Sequence, residues 1–205
     1  MEESMGLLRG SATFVRFAVE GELPENPLDF IADRIMAYAF RDIDDTYDEY
    51  SLGWVSILNM FDNQFQYASY AAGDYITLTL RIDERKVSPA IVKKVVQKEV
   101  ERIKLEKQVP KLGRAQLVEI KERVQTELMR KSVPVPAVYD LCWSLSESVV
   151  YFFSTNKKAH AVLEDFFKES FGVLLRQQIP YVMGEQVLDE DGLDALARLQ
   201  PEVLV

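Results

Sequence analysis

The sequence predicts an α+β protein: two small α/β halves, strand-helix-strand-strand and strand-strand-helix-strand, joined by a projecting basic helical hairpin. Three observations carry that reading. Short runs with period-two alternation lie on both sides of the chain's centre, as half-buried strands require. Two helix-period patterns separate them, opened by Ser88-Pro89 and closed by Pro134-Val135-Pro136. Charge is segregated in the same way. Arg81–Lys131 holds 15 Lys and Arg against 8 Asp and Glu, while the rest of the chain has 9 against 25, within a whole-chain net charge of −9. The expected organisation is a body of residues 1–87 and 133–183, a hairpin of residues 88–132, and an acidic tail of residues 184–205.

Taken in order, Thr13–Glu20 alternates apolar and polar residues and reads as a strand. Asn26-Pro27 supplies a cap followed by proline at the first helical position. Leu28, Ile31, Ile35 and Tyr38 continue at helical steps, so a helix is expected over Pro27–Phe40, ending in an acidic loop, Asp42–Glu49. Two strands follow, Leu52–Phe61 and Asp74–Arg81, the second with Ile76, Leu78, Leu80 and Ile82 on one face. Ser88-Pro89 then opens the basic hairpin. Its first helix carries Val92, Val96 and Ile103 as an apolar stripe, with Lys94, Lys98 and Arg102 at four-residue spacing on a different face. Pro110 and Gly113 end it, and Leu117, Ile120, Val124 and Leu128 mark the second helix. Beyond the prolines the first pattern returns in mirrored order. Ala137–Leu145 and Val149–Ser154 are strand-like around a Ser146-Glu147-Ser148 turn, Asn156 caps a helix running to about Ser170, and Val173–Met183 is a last strand. The tail holds a short helix, Leu193–Leu199.

Composition bounds the class. With 205 residues, 48% of them hydrophobic, the chain can bury a sizeable core. No run approaches the roughly 18 apolar residues of a membrane span, and the start, MEESMGLLRGS, is acidic where a signal peptide is basic. A cytoplasmic protein with no membrane partner is expected. The single cysteine, Cys142, excludes a disulfide framework and a multi-cysteine metal site, and reads as a buried small hydrophobe.

The basic hairpin is the leading functional site. A protein that grips phosphates without reading bases needs several cations along one surface. Lys93, Lys94, Lys98, Arg102, Lys104, Lys107, Lys111, Arg114, Lys121, Arg123, Arg130 and Lys131 can supply it. The plainer reading is a solvated hairpin whose charges make local pairs such as Glu119 with Arg123. Lys157 and Lys158 form a second candidate. Cations in a first helical turn oppose the macrodipole, yet with the free N–H groups there they suit a phosphate.

Catalytic chemistry finds no such support. Asp42, Asp44, Asp45, Asp48 and Glu49 are dense enough to suggest metal ligands, but they share one loop and lack EF-hand spacing, so a solvated acidic loop is the expectation. His160, the sole histidine, has no Ser/His/Asp or Cys/His constellation and reads as an ordinary helix residue. No glycine-rich phosphate loop is present. No cofactor, metal or catalytic residue is therefore expected. Phe61, Phe65, Tyr67, Tyr70 and Tyr75 could stack on unpaired bases, but core or dimer interface is the expected role.

Several segments, none specific alone, fall in a familiar order. They are Ala39-Phe40-Arg41, Gly53-Trp54-Val55, Ser88-Pro89-Ala90-Ile91-Val92-Lys93-Lys94, Ile120-Lys121-Glu122 leading to Leu128-Met129, Trp143, Lys157-Lys158-Ala159 and Phe171-Gly172-Val173-Leu174. Over roughly residues 12–183 the chain resembles the recombination-associated RdgC family, whose members are often labelled exonucleases. The resemblance implies a nucleoid-associated, homodimeric protein that binds DNA, double-stranded or single-stranded, without strong sequence preference. Members are known as rings that enclose duplex DNA and restrain the recombinase RecA. Typical members extend further, and this chain stops where their second half begins. Their leucine-leucine-proline-arginine-alanine-phenylalanine segment reads here as Leu128-Met129-Arg130-Lys131-Ser132-Val133, without the phenylalanine of a tip contact.

The function expected is phosphate-directed DNA binding that limits recombinase access, with no catalytic step. Two alternatives stand beside it. One is a protein-interaction module whose basic hairpin docks an acidic protein partner; the other is a metal-dependent nuclease built on the Asp42–Glu49 loop.

Overall fold

A computed structural model describes residues 7–8, 12–65, 69–179, 183–184 and 187–199. The elements are β1 (Val15–Glu20), α1 (Pro27–Ala37), β2 (Tyr50–Val55), β3 (Ala71–Ala72), β4 (Tyr75–Arg85), α2 (Pro89–Lys107), α3 (Arg114–Lys131), β5 (Pro134–Ser144), β6 (Val149–Phe152), α4 (Lys157–Phe171), β7 (Leu174–Gln177) and α5 (Glu190–Arg198). The α+β class read from the sequence is the observed one. The strands form a seven-stranded sheet in the order β2-β4-β5-β6-β1-β7, with β3 paired to β4. β1 is antiparallel to both β6 and β7, with Phe17 opposite Val150 on one side and Gln177 on the other.

Several boundaries differ from the expected ones. β2 stops at Val55 rather than Phe61, because Ser56 N donates to Asp62 O at 2.8 Å and turns the chain. β5 begins at Pro134, which the sequence marked as a breaker; proline is tolerated at the first residue of a strand, where its missing N–H is not needed. β7 ends at Gln177, and residues 180–182 of the expected last strand lie outside the described residues. β4 runs four residues past Arg81, to Arg85. Up to Leu80 the apolar face Ile76, Leu78 and Leu80 is buried; beyond it the buried residues are Arg81, Asp83 and Arg85. A polar strand end can be buried only if its charges are satisfied, and these are. Arg81 forks onto Asp83 (2.8 and 2.6 Å) and lies 4.1 Å over the Phe40 ring.

The chain divides into two compact units. The first comprises residues 1–39, 55–80 and 139–205, and its core is aromatic. Trp143 on β5 meets Phe167 and Phe171 of α4 at 5.0 and 5.3 Å between ring centroids. Ile31 and Ile35 bury the inner face of α1. Arg34 of α1 ties that helix to the end of α4, donating from Nη2 to Glu169 O (2.8 Å) and from Nε to Ser170 O, two of the carbonyls a helix C-terminus leaves unpaired. Gly172 then stops α4 in the left-handed conformation, at φ 74°. His160 is buried in this core, its Nε2 2.8 Å from Ser154 O, with edge contacts to Phe17 and Phe152. Cys142 is half-buried rather than fully buried, and burial pushes its thiol pKa up.

The second unit comprises residues 40–54 and 81–138, and so holds the whole hairpin together with the Asp42–Glu49 loop. Arg85 organises it. Only 5% exposed, its guanidinium donates to the carbonyls of Asp48 (2.9 Å), Ile43 (2.7 Å), Asp44 (3.2 Å), Thr46 (3.0 Å) and Ser132. One side chain therefore shapes the acidic loop and holds the end of α3. Ile120 and Val124 of α3 are the buried hairpin residues; α2 buries none.

Candidate nucleic-acid interface

The hairpin forms because both helices are well punctuated. Pro89 sits in the first turn of α2, and Gln108 ends it in the left-handed conformation (φ 53°), with Val109 N donating to Lys104 O. Gln116 reaches back to Gly113 N at 3.2 Å and closes the first turn of α3. Ser88 and Asn26 make no side-chain cap, whereas Asn156 Oδ1 accepts from Lys158 N at 3.0 Å as expected of a cap.

All of the candidate cations except Lys157 and Lys158 fall in the second unit, on the hairpin and its connecting loop. They divide by partner. Lys93, Lys94, Lys98, Lys107, Lys111, Arg114 and Lys121 are exposed, and none makes an ion pair among the described residues. Arg102 is held by Glu99 (2.7 Å) and Glu106 (3.2 Å), Lys104 by Glu101 (2.9 Å) and Lys131 by Glu127 (2.6 Å). Arg123 does not make the local pair with Glu119 that the plainer reading of the hairpin offered as its example. It crosses the hairpin to Glu99 at 2.5 Å, because Glu99 lies at the seam between the helices. Arg130 lies over the exposed ring of Tyr47, 5.5 Å from its centroid.

The carboxylates in these pairs are shifted accordingly. The Arg102 hydrogen bond, reinforced by Arg123, holds Glu99 below the usual glutamate range, and Lys131 does the same to Glu127. Lys94 and Lys98 lie one turn apart on the solvent face of α2, free to meet phosphate. Lys93 lies beside Val96 and Val100, near the α3 residue Lys121, at the rim of an apolar groove. Lys111 is in the interhelical loop and Arg114 opens α3.

Lys157 and Lys158 are exposed in the first turn of α4, in the other unit. One N–H of that turn is already taken by Asn156. The Asp42–Glu49 loop turns carbonyls of Ile43, Asp44, Thr46 and Asp48 onto Arg85 and two of its carboxylates onto itself: Asp42 accepts from Asp44 N at 2.8 Å and Asp48 from Thr46 Oγ1 at 3.2 Å. Among the described residues no group of three or more His, Cys, Asp or Glu is placed to hold a metal ion. Of the clustered aromatics, Phe65 is buried, Phe61 is 70% exposed, Tyr70 packs edge-on against Phe65 at 6.0 Å, and Tyr75 is exposed; Tyr67 lies outside the described residues.

Three features escaped the sequence. Arg81 and Arg85 count toward the basic stretch but are buried and satisfied, so they offer nothing to a ligand. The Glu99 carboxylate withdraws two arginines from the free cationic surface. The groove along α2 was visible only as an amphipathic stripe.

The family model described as "Putative exonuclease, RdgC" matches residues 16–182, spanning β1 to the end of β7 and the whole hairpin. The chain belongs to the RdgC family. No curated protein matches it. The segments that resembled RdgC now have places: Trp143 is the aromatic centre of the first unit, Phe40 is the ring beneath Arg81, and Ser88-Pro89 opens α2. Val133, where the RdgC segment has phenylalanine, is exposed. No helix among the described residues is long and apolar enough to cross a membrane.

Proposed function

We propose that this RdgC-family chain binds DNA through its phosphates, without reading sequence, from the unpaired cations of the hairpin. The observation that supports this is the separation between paired and unpaired charge. Lys94, Lys98, Lys107, Lys111 and Arg114 remain exposed and uncompensated on one hairpin, although the chain as a whole carries a net charge of −9. Uncompensated surface cations gain from releasing counterions condensed on DNA, whereas Arg102 and Arg123 would have to leave a carboxylate first. Family membership supports a recombination-associated protein of the nucleoid. On this reading the chain acts as a homodimer that limits recombinase access by occupying DNA, with no catalytic step.

Binding of fluorescein-labelled single- and double-stranded DNA, followed by anisotropy across a salt series and by denaturing gel with and without Mg²⁺, tests this. Salt-sensitive binding with intact DNA is expected. Cleavage that depends on the cation would instead favour the nuclease reading. The docking reading is favoured by one observation, the apolar groove rimmed by Lys93 and Lys121, and predicts no DNA binding even at low salt.

A further inference from the structure

Helix α2 is amphipathic, yet it buries no residue. Val92, Val96 and Val100 follow one another at single-turn steps and stay half-covered, and with Pro89 they floor a groove of about 710 Å³. Lys93 of α2 and Lys121 of α3 stand at its rim, and every residue that lines it belongs to the second unit. No carboxylate is among them, and neither lysine makes an ion pair among the described residues. A helix that segregates apolar side chains and leaves them partly bare has surface for a further partner.

Shape and charge choose the occupant. Valines repeated along one side of α2 make a straight apolar track, which suits the recurring apolar side chains of a helix laid in the groove. A nucleic acid has nothing to place on valine, because its phosphates seek cations and its bases seek aromatic rings. Two unpaired ammonium groups, with no acid lining the groove, disfavour a basic helix and favour an acidic one. The described helices outside the hairpin have already placed apolar side chains. α1 buries Ile31 and Ile35, and α4 buries Leu163 and Phe167. The acidic helix α5 sets Leu196 so near Gly184 that a Cβ there would lie 2.7 Å from its Cδ2. A separate protein is the better source.

We propose that the groove is the docking site for an acidic amphipathic helix of a partner protein. The apolar side chains of that helix lie on Val92, Val96 and Val100, and its carboxylates pair with Lys93 and Lys121. Lys94 and Lys98 do not line the groove. The site therefore takes from the docking reading only the use of the hairpin as a protein surface, and it does not depend on DNA binding.

Selection of a displayed library of random peptides, each of about 14 residues and so long enough for a helix of about four turns, tests it on the full chain. Lys93→Glu/Lys121→Glu serves for counter-selection, and both positions are exposed, so the fold tolerates the change. Enriched peptides are expected to carry Leu, Ile or Phe at three- and four-residue spacing with Asp or Glu beside them. A synthetic copy should bind the wild type in a salt-sensitive way, lose about tenfold in affinity for the charge-reversed variant, and keep its affinity for Lys94→Ala/Lys98→Ala. Val96→Asp should remove binding while leaving the circular dichroism of the wild type. Titration of the same variants with duplex DNA separates loss of the docking site from loss of DNA binding. No enrichment over the charge-reversed variant, enriched peptides that are basic or lack the helical spacing, or equal affinity for the two lysine variants would overturn the proposal. So would conversion of a dimer to monomers by the peptide in sedimentation, which would assign the groove to a second copy.

Discussion

Arg123 on α3 and Glu99 on α2 form an ion pair across the hairpin, Nη2 to Oε1 at 2.5 Å, and the same carboxylate accepts from Arg102 at 2.7 Å. One acidic residue thereby fastens the two helices and sets which cations remain for a ligand. Its folded pKa is depressed, so its contribution is present above the unfolded value and is lost as pH falls through the folded one. Hairpin protection should therefore persist through neutral and mildly acid solution and fall away only below the ordinary glutamate range. Hydrogen exchange of α2 and α3 amides against pH, in the wild type and in Glu99→Gln, checks this. The variant should lose the acid step.

Arg85 gives a larger effect. Its guanidinium satisfies carbonyls from the acidic loop and from the end of α3, and removing it leaves buried acceptors unpaired. Arg85→Ala should cost about 3 kcal/mol or more, and Arg85→Lys should recover little, since an ammonium cannot reproduce the planar fork. Denaturant midpoints would measure both.

Trp143 packs against Phe167 and Phe171 and is fully buried. Trp143→Ala should cost about 3–5 kcal/mol through lost transfer energy and a residual cavity. A conservative Trp143→Phe should cost less, and calorimetry would rank the two.

Gln108 ends α2 with a positive φ that suits glycine better than a residue with a Cβ. Gln108→Gly should stabilise the protein by about 0.5–1 kcal/mol, an estimate that follows from the left-handed penalty offset by the extra backbone entropy of glycine. Thermal melts would register it as a raised Tm.

How much of this was legible in the sequence depends on which residues carried it. The alternation of Ile76, Leu78 and Leu80 identified the strand, because one buried face leaves a period-two trace. The extension to Arg85 was hidden, because burying Arg81, Asp83 and Arg85 needs partners from Phe40, the Asp42–Glu49 loop and Ser132, which only the fold brings near. Ser88-Pro89 and Asn156 announced their helices through local chemistry. The cations of the hairpin were visible one by one, but their division into paired and free was not. Arg123 meets a carboxylate 24 residues away, and no local spacing rule reports that.

On the proposed reading, the free hairpin cations bind phosphate and the paired ones contribute less. The direct measurement is the slope of log affinity against log salt for duplex DNA, compared between Lys94→Ala/Lys98→Ala and Arg102→Ala/Arg123→Ala. Each lost phosphate contact lowers the slope by about 0.9, so the lysine pair should reduce it by about 1.8 and the arginine pair by clearly less. Equal slopes in the wild type and the lysine variant, or a greater loss with the arginine pair, would contradict the account.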